Sequence, residues 1–400
     1  MPPFMGLRGS RSYDPDATPK NWREGILRLY PNGGPNGGAV LTAFLALIDA
    51  ERTSDPEFNW WERPLPLRHA ATTGAQLTSD TSLTIQAVAG EPTLGKIFRK
   101  GYIVINTRTK EHMLVTADQT VATTVVVQRA YGETAAAAMN ALDELRVIGN
   151  ANEEGGPLPT PVAYDPTKQF NYTQIFRTPL HVTRTALKTR LRTESAIMQA
   201  QIEALELQAM DIEEAFLFGE RYETTGANGM PSRTTRGMQR WIEALAPGNA
   251  VVAGATTTEE QFLGMLEPMY RYGSIEKLWL VGSHAATVIT RLAKLGSQIN
   301  LEAGDEVYGI RLHRFVTALG DGYLRLHPLF NLYADWRSML MVIDLEHIRY
   351  RYVDDIGFYD HRQSPGDDAL KSEWLCEAGL EVNHAVVHGL ISNLTAAAAS

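Results

Sequence analysis

Apolar and polar positions alternate with a period of two in four short runs between Thr81 and Tyr131: "TSLTIQAV", "GYIVINT", "EHMLVTA" and "TTVVVQRAYG", each closed by turn residues. That period marks strands with one buried face, so the stretch is expected to be a β-meander or small barrel. The following run, "ETAAAAMNALDELRVIG", carries an alanine block and is assigned to a helix. After it, "ANEEGGPLPTPVAYDPTKQ" is a Pro/Gly loop. Between Thr193 and Glu220 the period becomes helical, and the only Gly or Pro there is Gly219. A helix of those 28 residues spans roughly 42 Å, twice the radius of gyration of about 21 Å for a compact chain of this length. Met198, Ile202, Leu205, Ala209, Ile212 and Phe216 recur on one stripe, expected to face the core. Met210 and Leu217 sit on its flank and Leu207 opposite, which calls for a second covering surface.

Beyond the Gly-containing loop "RYETTGANGMPSRTTRG" the pattern alternates between helix and strand. Thr256 with Glu259 resembles a capping box opening a helix through "EEQFLGMLEPMYRY". "EKLWLVG" reads as a buried strand, and Ser283 as the N-cap of a helix running to Gly296. "YGIRLHRFVTAL", "GYLRLHPLF" and "SMLMVIDLEHIRYRYV" follow as strands, and Glu373 to Leu394 as a closing strand pair with a Gly turn. Before Pro64 the chain is rich in Pro and Gly, with a short helix predicted from Leu41 to Ala50 and an aromatic cluster, Phe58, Trp60 and Trp61, that is expected to bury. No internal repeat is present.

Composition narrows the function. Charged residues at 21% and hydrophobic ones at 44% are ordinary for a folded chain of 400 residues. The first thirty residues hold no apolar run of signal-peptide or membrane-spanning length, so the protein is expected to be made and kept in the cytosol. The sequons at Asn171 and Asn393 are then chance matches. A single cysteine, Cys376, excludes an internal disulfide framework and a cysteine-based zinc site, and its apolar neighbours predict a packed thiol. A net charge of -9 argues against a basic nucleic-acid groove, leaving at most weak or local DNA contact.

Catalytic signatures are missing: no G-x-S-x-G, no phosphate loop, no G-x-G-x-x-G and no H-E-x-x-H. The richest polar cluster is Asp354, Asp355, Asp360, His361, Asp367 and Asp368, whose spacing fits no calcium loop. It reads as a solvated acidic loop or subunit contact, with a metal site as the minor alternative. Ser283 and His284 are adjacent and diverge on a helix, and His313, His327 and His347 lie in strands with apolar neighbours, as core or surface histidines do. No catalytic, cofactor-binding or metal-ligating residue is assigned, and no cofactor is expected. An arm without a core of its own, a β-rich excursion and one very long helix fit a subunit that hooks onto identical neighbours.

The order of these parts resembles the Hong Kong 97 fold of tailed-phage major capsid proteins, an α+β architecture. "LTAFLALIDAERTSDPEFNWWE", "KGYIVINTRTKEHMLVTA", "IGNANEEGG" followed by "FNYTQIFRTPLHVTRTA", and "LEVNHAVVHGLI" are similar to the phage SU-ten type of major head protein, over about Thr18 to Leu394. The resemblance implies an N-terminal arm over residues 1–64 and an extended loop with a β-rich insertion over 65–180. It further implies a peripheral domain with a spine helix over 181–237, an axial domain over 238–340, and returning peripheral strands with the C-terminus over 341–400. It implies a non-enzymatic shell protein that assembles through hexamers and pentamers in the host bacterial cytoplasm and resides in the virion. Its implied partners are identical subunits, a separate scaffolding protein, a portal, cement or decoration proteins, and packaged double-stranded DNA met weakly on the inner face, with no membrane. The loop Tyr222 to Arg236 is expected to bend as the shell expands. Glu206 and Glu213 are both expected to accept lysine without loss of the subunit fold. The rival readings are a nanocompartment shell of the same fold and an enzyme centred on the 354–368 loop.

Overall fold

The computed structural model describes residues 44, 47–63, 68–88, 95–156, 158–163, 165–189, 195–254, 256–295, 301–307 and 310–395. The arm before Phe44, half of the predicted Leu41–Ala50 helix, the first residues of the predicted long helix, and Gly296, the last residue of the helix predicted from Ser283, lie outside them. What is described of the Leu41–Ala50 segment ends in a strand, β1 (Asp49–Arg52).

β2 (Glu57–Glu62) alternates strictly, burying Phe58 and Trp60 but leaving Trp61 68% exposed, so the aromatic cluster is split between two faces by the strand period. Six strands then close a barrel: β3 (His69–Thr72), β4 (Ser82–Gln86), β5 (Tyr102–Asn106), β6 (His112–Val115), β7 (Thr124–Gln128) and β8 (Glu144–Asn150), in the order β3-β4-β7-β6-β5-β8. Its interior is a separate core of Leu83, Ile85, Phe98, Val104, Met113, Val125 and their neighbours. Closure removes the edges that so small a sheet would otherwise expose. β9 (Thr167–Tyr172) pairs with β2, Glu57 opposite Tyr172, so a two-stranded ribbon brackets the barrel and brings its ends together.

The alanine block is not helical. Residues 133–143 run irregularly through a bridge between Gln76 and Met139 into β8. Buried charge overrides alanine's helix propensity. The Glu111 carboxylate accepts from the amides of Ala130 and Ala137, while Arg129 Nη2 donates to the Ala137 carbonyl at 2.6 Å and Arg108 Nη2 to that of Ala138 at 2.9 Å. With their backbone groups taken by side chains, these residues have none left for i to i+4 bonding.

β10 (Gln174–Thr183) and the short α1 (Arg184–Lys188) lead to α2 (Ala196–Phe218), the long helix, at 23 residues. The Gly-containing segment that follows is a hairpin, β11 (Tyr222–Thr225) with β12 (Pro231–Thr234), rather than an open loop. α3 (Met238–Leu245), β13 (Ala250–Val252), α4 (Glu259–Tyr270), β14 (Glu276–Val281) and α5 (Ser283–Leu295) realise the expected alternation. The capping box lies two residues after the predicted one: Gln261 N donates to Thr258 Oγ1 at 3.3 Å and Thr258 N to Gln261 Oε1 at 3.1 Å. Ser283 is the first helical residue rather than the N-cap, and Asn331 Oδ1 accepts from its amide at 2.8 Å.

β15 (Leu301–Val307), β16 (Ile310–Val316), β17 (Asp321–Leu326), α6 (Pro328–Leu332) and β18 (Leu340–Ile343) complete a mixed seven-stranded sheet with β21 (Gly389–Ser392), in the order β13-β21-β18-β14-β17-β16-β15. β19 (Ile348–Tyr359) and β20 (Ala369–Val382) belong instead to a four-stranded sheet, β1-β19-β20-β10. Two expectations are thereby corrected. The run Ser338–Val353 is not one strand, because Asp344 Oδ1 accepts from Glu346 N at 3.2 Å and turns the chain from one sheet into the other. β20 and β21 do not pair; His384, in left-handed backbone, makes the reversal, while Gly389 leaves room for the Met269 side chain.

The seven-stranded sheet is covered on both faces. Leu278, Leu280, Met341 and Ile343 point toward α2, α3 and the four-stranded sheet, while Trp279, Val281, Leu340 and Val342 point toward α4 and α5. That explains why β14 and β18 read as continuous apolar runs rather than alternating ones. Cys376 packs in the larger core, its thiol 3.3 Å from Tyr350 Oη. No helix among the described residues is long and apolar enough to cross a membrane.

Candidate functional site

The six side chains singled out by sequence do not converge. Asp354 accepts from Tyr359 Oη at 2.8 Å, and Asp355 from Tyr350 Oη at 3.1 Å and the Ile356 amide at 2.8 Å. Asp360 accepts from Ser372 Oγ and the His361 amide, which hold its carboxyl below the usual range. Asp367 is paired with Lys371 at 2.6 Å, which lowers it likewise, and Asp368 with Arg184 at 2.6 Å. Each carboxylate has its own donor along the β19–β20 hairpin. Among the described residues no three His, Cys, Asp or Glu side chains come together to hold a metal ion. On the outer face of the hairpin a shallow concavity is lined by Ile175, Arg177, Asp354, Arg362, Glu373 and neighbours. Both arginines lie on the Glu373 carboxylate, at 2.6 and 3.3 Å, so its charge is satisfied within the chain.

The long helix offers a different kind of surface. In its C-terminal half the predicted stripe is buried: Ala209 is covered, and Ile212 and Phe216 enter the main core, joined there by Leu217 from the flank, with Phe216 edge-on to Phe176 at 6.4 Å between ring centroids. In the N-terminal half the buried stripe is not the predicted one. Small residues, Ala200 and Ala204, face the sheet, against Leu180, Val182, Phe358 and Trp374. The large aromatic groups of the sheet fill that space, and alanine lets the helix approach. Trp374 Nε1 reaches the Gln201 carbonyl at 3.2 Å. Met198, Ile202, Leu205 and Leu207 therefore point outward, 58, 41, 38 and 55% exposed. A ridge of three large apolar side chains, Met198, Ile202 and Leu205, with Leu207 exposed on another side of a helix that has five carboxylates and no cation, is what an unassembled subunit exposes when a partner covers it.

Glu213 behaves opposite to expectation. It lies fully buried on α2, where Oε1 accepts from the Phe44 amide at 2.8 Å and lies 2.9 Å from His327 Nε2. Glu213 Oε2 and His327 Nδ1 have no hydrogen-bond partner among the described residues, and Arg325 lies close enough to act on Glu213 through charge. Asp211 and Glu214 are raised by desolvation; at Glu214 the hydrogen bond from Tyr333 Oη acts against the rise and the charge of Asp211 adds to it. Asn171, the first sequon asparagine, is also fully buried and bonds Thr235, Arg236 and Leu380, which no glycan could accompany.

Sequence comparison decides what these surfaces serve. Residues 38–395 match the family described as the SU10 major capsid protein. The chain belongs to that family. The subunit is thus a tailed-phage major capsid protein, a structural component of the virion. It is 23% identical, over 98% of its own length and 97% of the relative's, to the major capsid protein of Pseudomonas phage PaMx41. Among solved structures it is similar to the capsid of Myoviridae phage XM1, with a TM-score of 0.48, 9% identity and 97% and 99% of the two chains covered. A second similar structure is that of Mycobacterium phage Bobi, at TM-score 0.46 and 10% identity, covering 96% and 98%. In a capsid protein the functional site is the set of faces that meet other subunits, and no sequence motif marks them. The exposed ridge of α2 was legible only as a surplus of apolar positions around the helix; the buried Glu213 could have been found from its place beside Ile212 and Phe216 on the core stripe.

Proposed function

We propose that this capsid protein takes the Hong Kong 97 fold and builds an icosahedral head through hexamers and pentamers of identical subunits, enclosing double-stranded DNA. In this reading residues 1–64 form the N-terminal arm, 65–180 the extended loop carrying the barrel, 181–237 and 341–400 the peripheral domain, and 238–340 the axial domain. The barrel set off on the β2–β9 ribbon, and a four-stranded sheet backed by one long helix, support that division. Assembly takes place in the host bacterial cytoplasm with a separate scaffolding protein and a portal, and cement or decoration proteins bind the finished shell. The net charge of -9 favours weak contact with packaged DNA, because a strongly cationic lining would hold phosphates fast.

The observation that carries this reading is the outward apolar ridge of α2. Three large side chains, Met198, Ile202 and Leu205, left in water on one face of the helix have a place once a neighbour covers them, and obligate interfaces are built from such groups. The double variant Ile202→Asp, Leu205→Asp is therefore expected to fold, since both residues are exposed in the subunit, with its melting temperature within a few degrees of the parent. It is expected to lose assembly, read as the loss of fast-sedimenting material on a sucrose gradient. Wild-type yields of particles from this variant would remove the ridge from the contact surface.

A further inference from the structure

Two of the three passages of the chain between the two large sheets, β18 to β19 and β20 to β21, run through one polar cluster. The β18–β19 turn carries Asp344 and His347, and the β20–β21 turn carries His384 and His388. The two turns are tied to each other: the Asp344 amide donates to His388 Nδ1 at 3.1 Å, and the Asn383 amide to the His347 carbonyl at 2.8 Å. Asn249 Nδ2 holds the second turn through the Val386 and His388 carbonyls at 2.7 and 2.8 Å. From β14 the ammonium of Lys277, buried, donates to the carbonyls of Met269, Tyr272 and Val387. Its counter-charge is Asp344, also buried, which accepts from the Ser274 amide at 2.8 Å and lies 3.2 Å from His347 Nδ1. Farther out, Glu62 Oε1 from β2 accepts from the His384 amide at 2.9 Å.

His388 is the weak point. It is fully buried, its Nδ1 is an acceptor and so carries no proton, and its Nε2 has no hydrogen-bond partner among the described residues. A proton added to this ring must go on Nδ1. That breaks the bond joining the two turns and places a second buried positive charge facing Lys277.

We propose that this junction is an acid-released latch: protonation of His388 separates the β18–β19 and β20–β21 turns. The inference concerns the subunit alone and holds whatever shell it builds. Burial first, then the charges of Lys277 and His347, hold His388 well below its ordinary value of 6.5 while the junction is closed. Once opened, the ring regains solvent and its ordinary affinity. A group depressed in the closed state favours closure above its free value and opposes it as pH falls below that value. The opening equilibrium therefore rises about tenfold per pH unit below about 6.5, one proton per opening. Lys277, lowered by burial to about 8, is already an ammonium in this range and contributes a constant charge. An imidazolium at His347 would be drawn to Asp344 and would repel charge on His388, so His347 does not drive the opening.

Hydrogen–deuterium exchange on the full-length, unassembled subunit between pH 8 and 5, corrected for intrinsic exchange rates, tests this. Peptides covering 340–350 and 380–392 are expected to lose protection about tenfold per pH unit below 6.5, while barrel peptides from 102–128 hold theirs. His388→Asn, whose side-chain oxygen can still accept from the Asp344 amide, is expected to flatten the transition; His347→Asn is expected to keep it. Unchanged junction protection down to pH 5, equal loss in the barrel, or a transition surviving in His388→Asn would overturn the proposal. Should His388→Asn fail to fold, the wild-type contrast between junction and barrel peptides decides alone.

Discussion

Replacing Glu213 with lysine is expected to prevent the subunit from folding, whereas the same change at Glu206, two turns earlier on the helix, is expected to leave a folded chain. Glu213 is fully buried, and its carboxylate is shared between the Phe44 amide and His327. An ammonium there has no acceptor for its protons, leaves the Phe44 amide unpaired, and faces Arg325 with like charge. Removing one partner of a buried pair costs about 3–5 kcal/mol, and reversing the charge adds to that. A domain has only about 5–15 kcal/mol to lose. Glu206 is half-buried on α2, and its substitution should cost under about 1 kcal/mol. Soluble yield and the cooperativity of thermal melting check both variants. A cooperatively melting Glu213→Lys subunit would show that the core around Phe44 opens to water.

The second large effect belongs to the barrel. Arg129→Ala is expected to destabilise it by about 3–5 kcal/mol without altering the sheets. The guanidinium pairs with Glu111 through two bonds of 2.8 Å and also donates to the carbonyls of Leu77, Asp80 and Ala137. Burial pushes the Glu111 carboxyl up, but Arg129 and the amides of Ala137 and Ala130 outweigh it, so the group sits below its ordinary value. Without Arg129 the desolvation is uncompensated and the carboxyl should rise. Stability lost in the variant should thus recover in part as pH falls toward 5, where Glu111 can enter the barrel protonated. Limited proteolysis locates the damage: cleavage within 68–150 in Arg129→Ala, at a rate that slows on acidification, is the expected pattern. Cleavage spread equally over the sheets would contradict an independently packed barrel.

The parts of this fold that were legible in the sequence are those whose burial is one-sided and local. Strands such as Ser82–Gln86 and Thr124–Gln128 bury one face and show it as alternation, and α4 and β14 carry their own caps and apolar runs. Where distant groups decide, the pattern misleads. The alanine block reads as helix because the charges that capture its backbone, on Glu111, Arg129 and Arg108, come from other turns of the barrel. The N-terminal half of α2 reads as large-side-in because the sequence does not say that Phe358 and Trp374 already occupy the space beneath it. The chain between Ser338 and Val353 reads as one strand because the turn that divides it rests on Asp344, a single residue bonded to Ser274 and His388. The acidic 354–368 segment drew attention as a cluster in sequence, yet its carboxylates pair one by one along a hairpin. The faces that matter to a capsid protein leave only a faint trace, since an apolar residue meant for a neighbour looks like one meant for the core.

Assembly itself is the most direct test. The chain should be expressed alone and together with its neighbouring genes, sized by light scattering and viewed by negative-stain electron microscopy. Closed shells tens of nanometres across, or flat hexamer sheets and tubes when the scaffold is missing, are the predicted products. A stable, monodisperse monomer under both conditions would contradict the account.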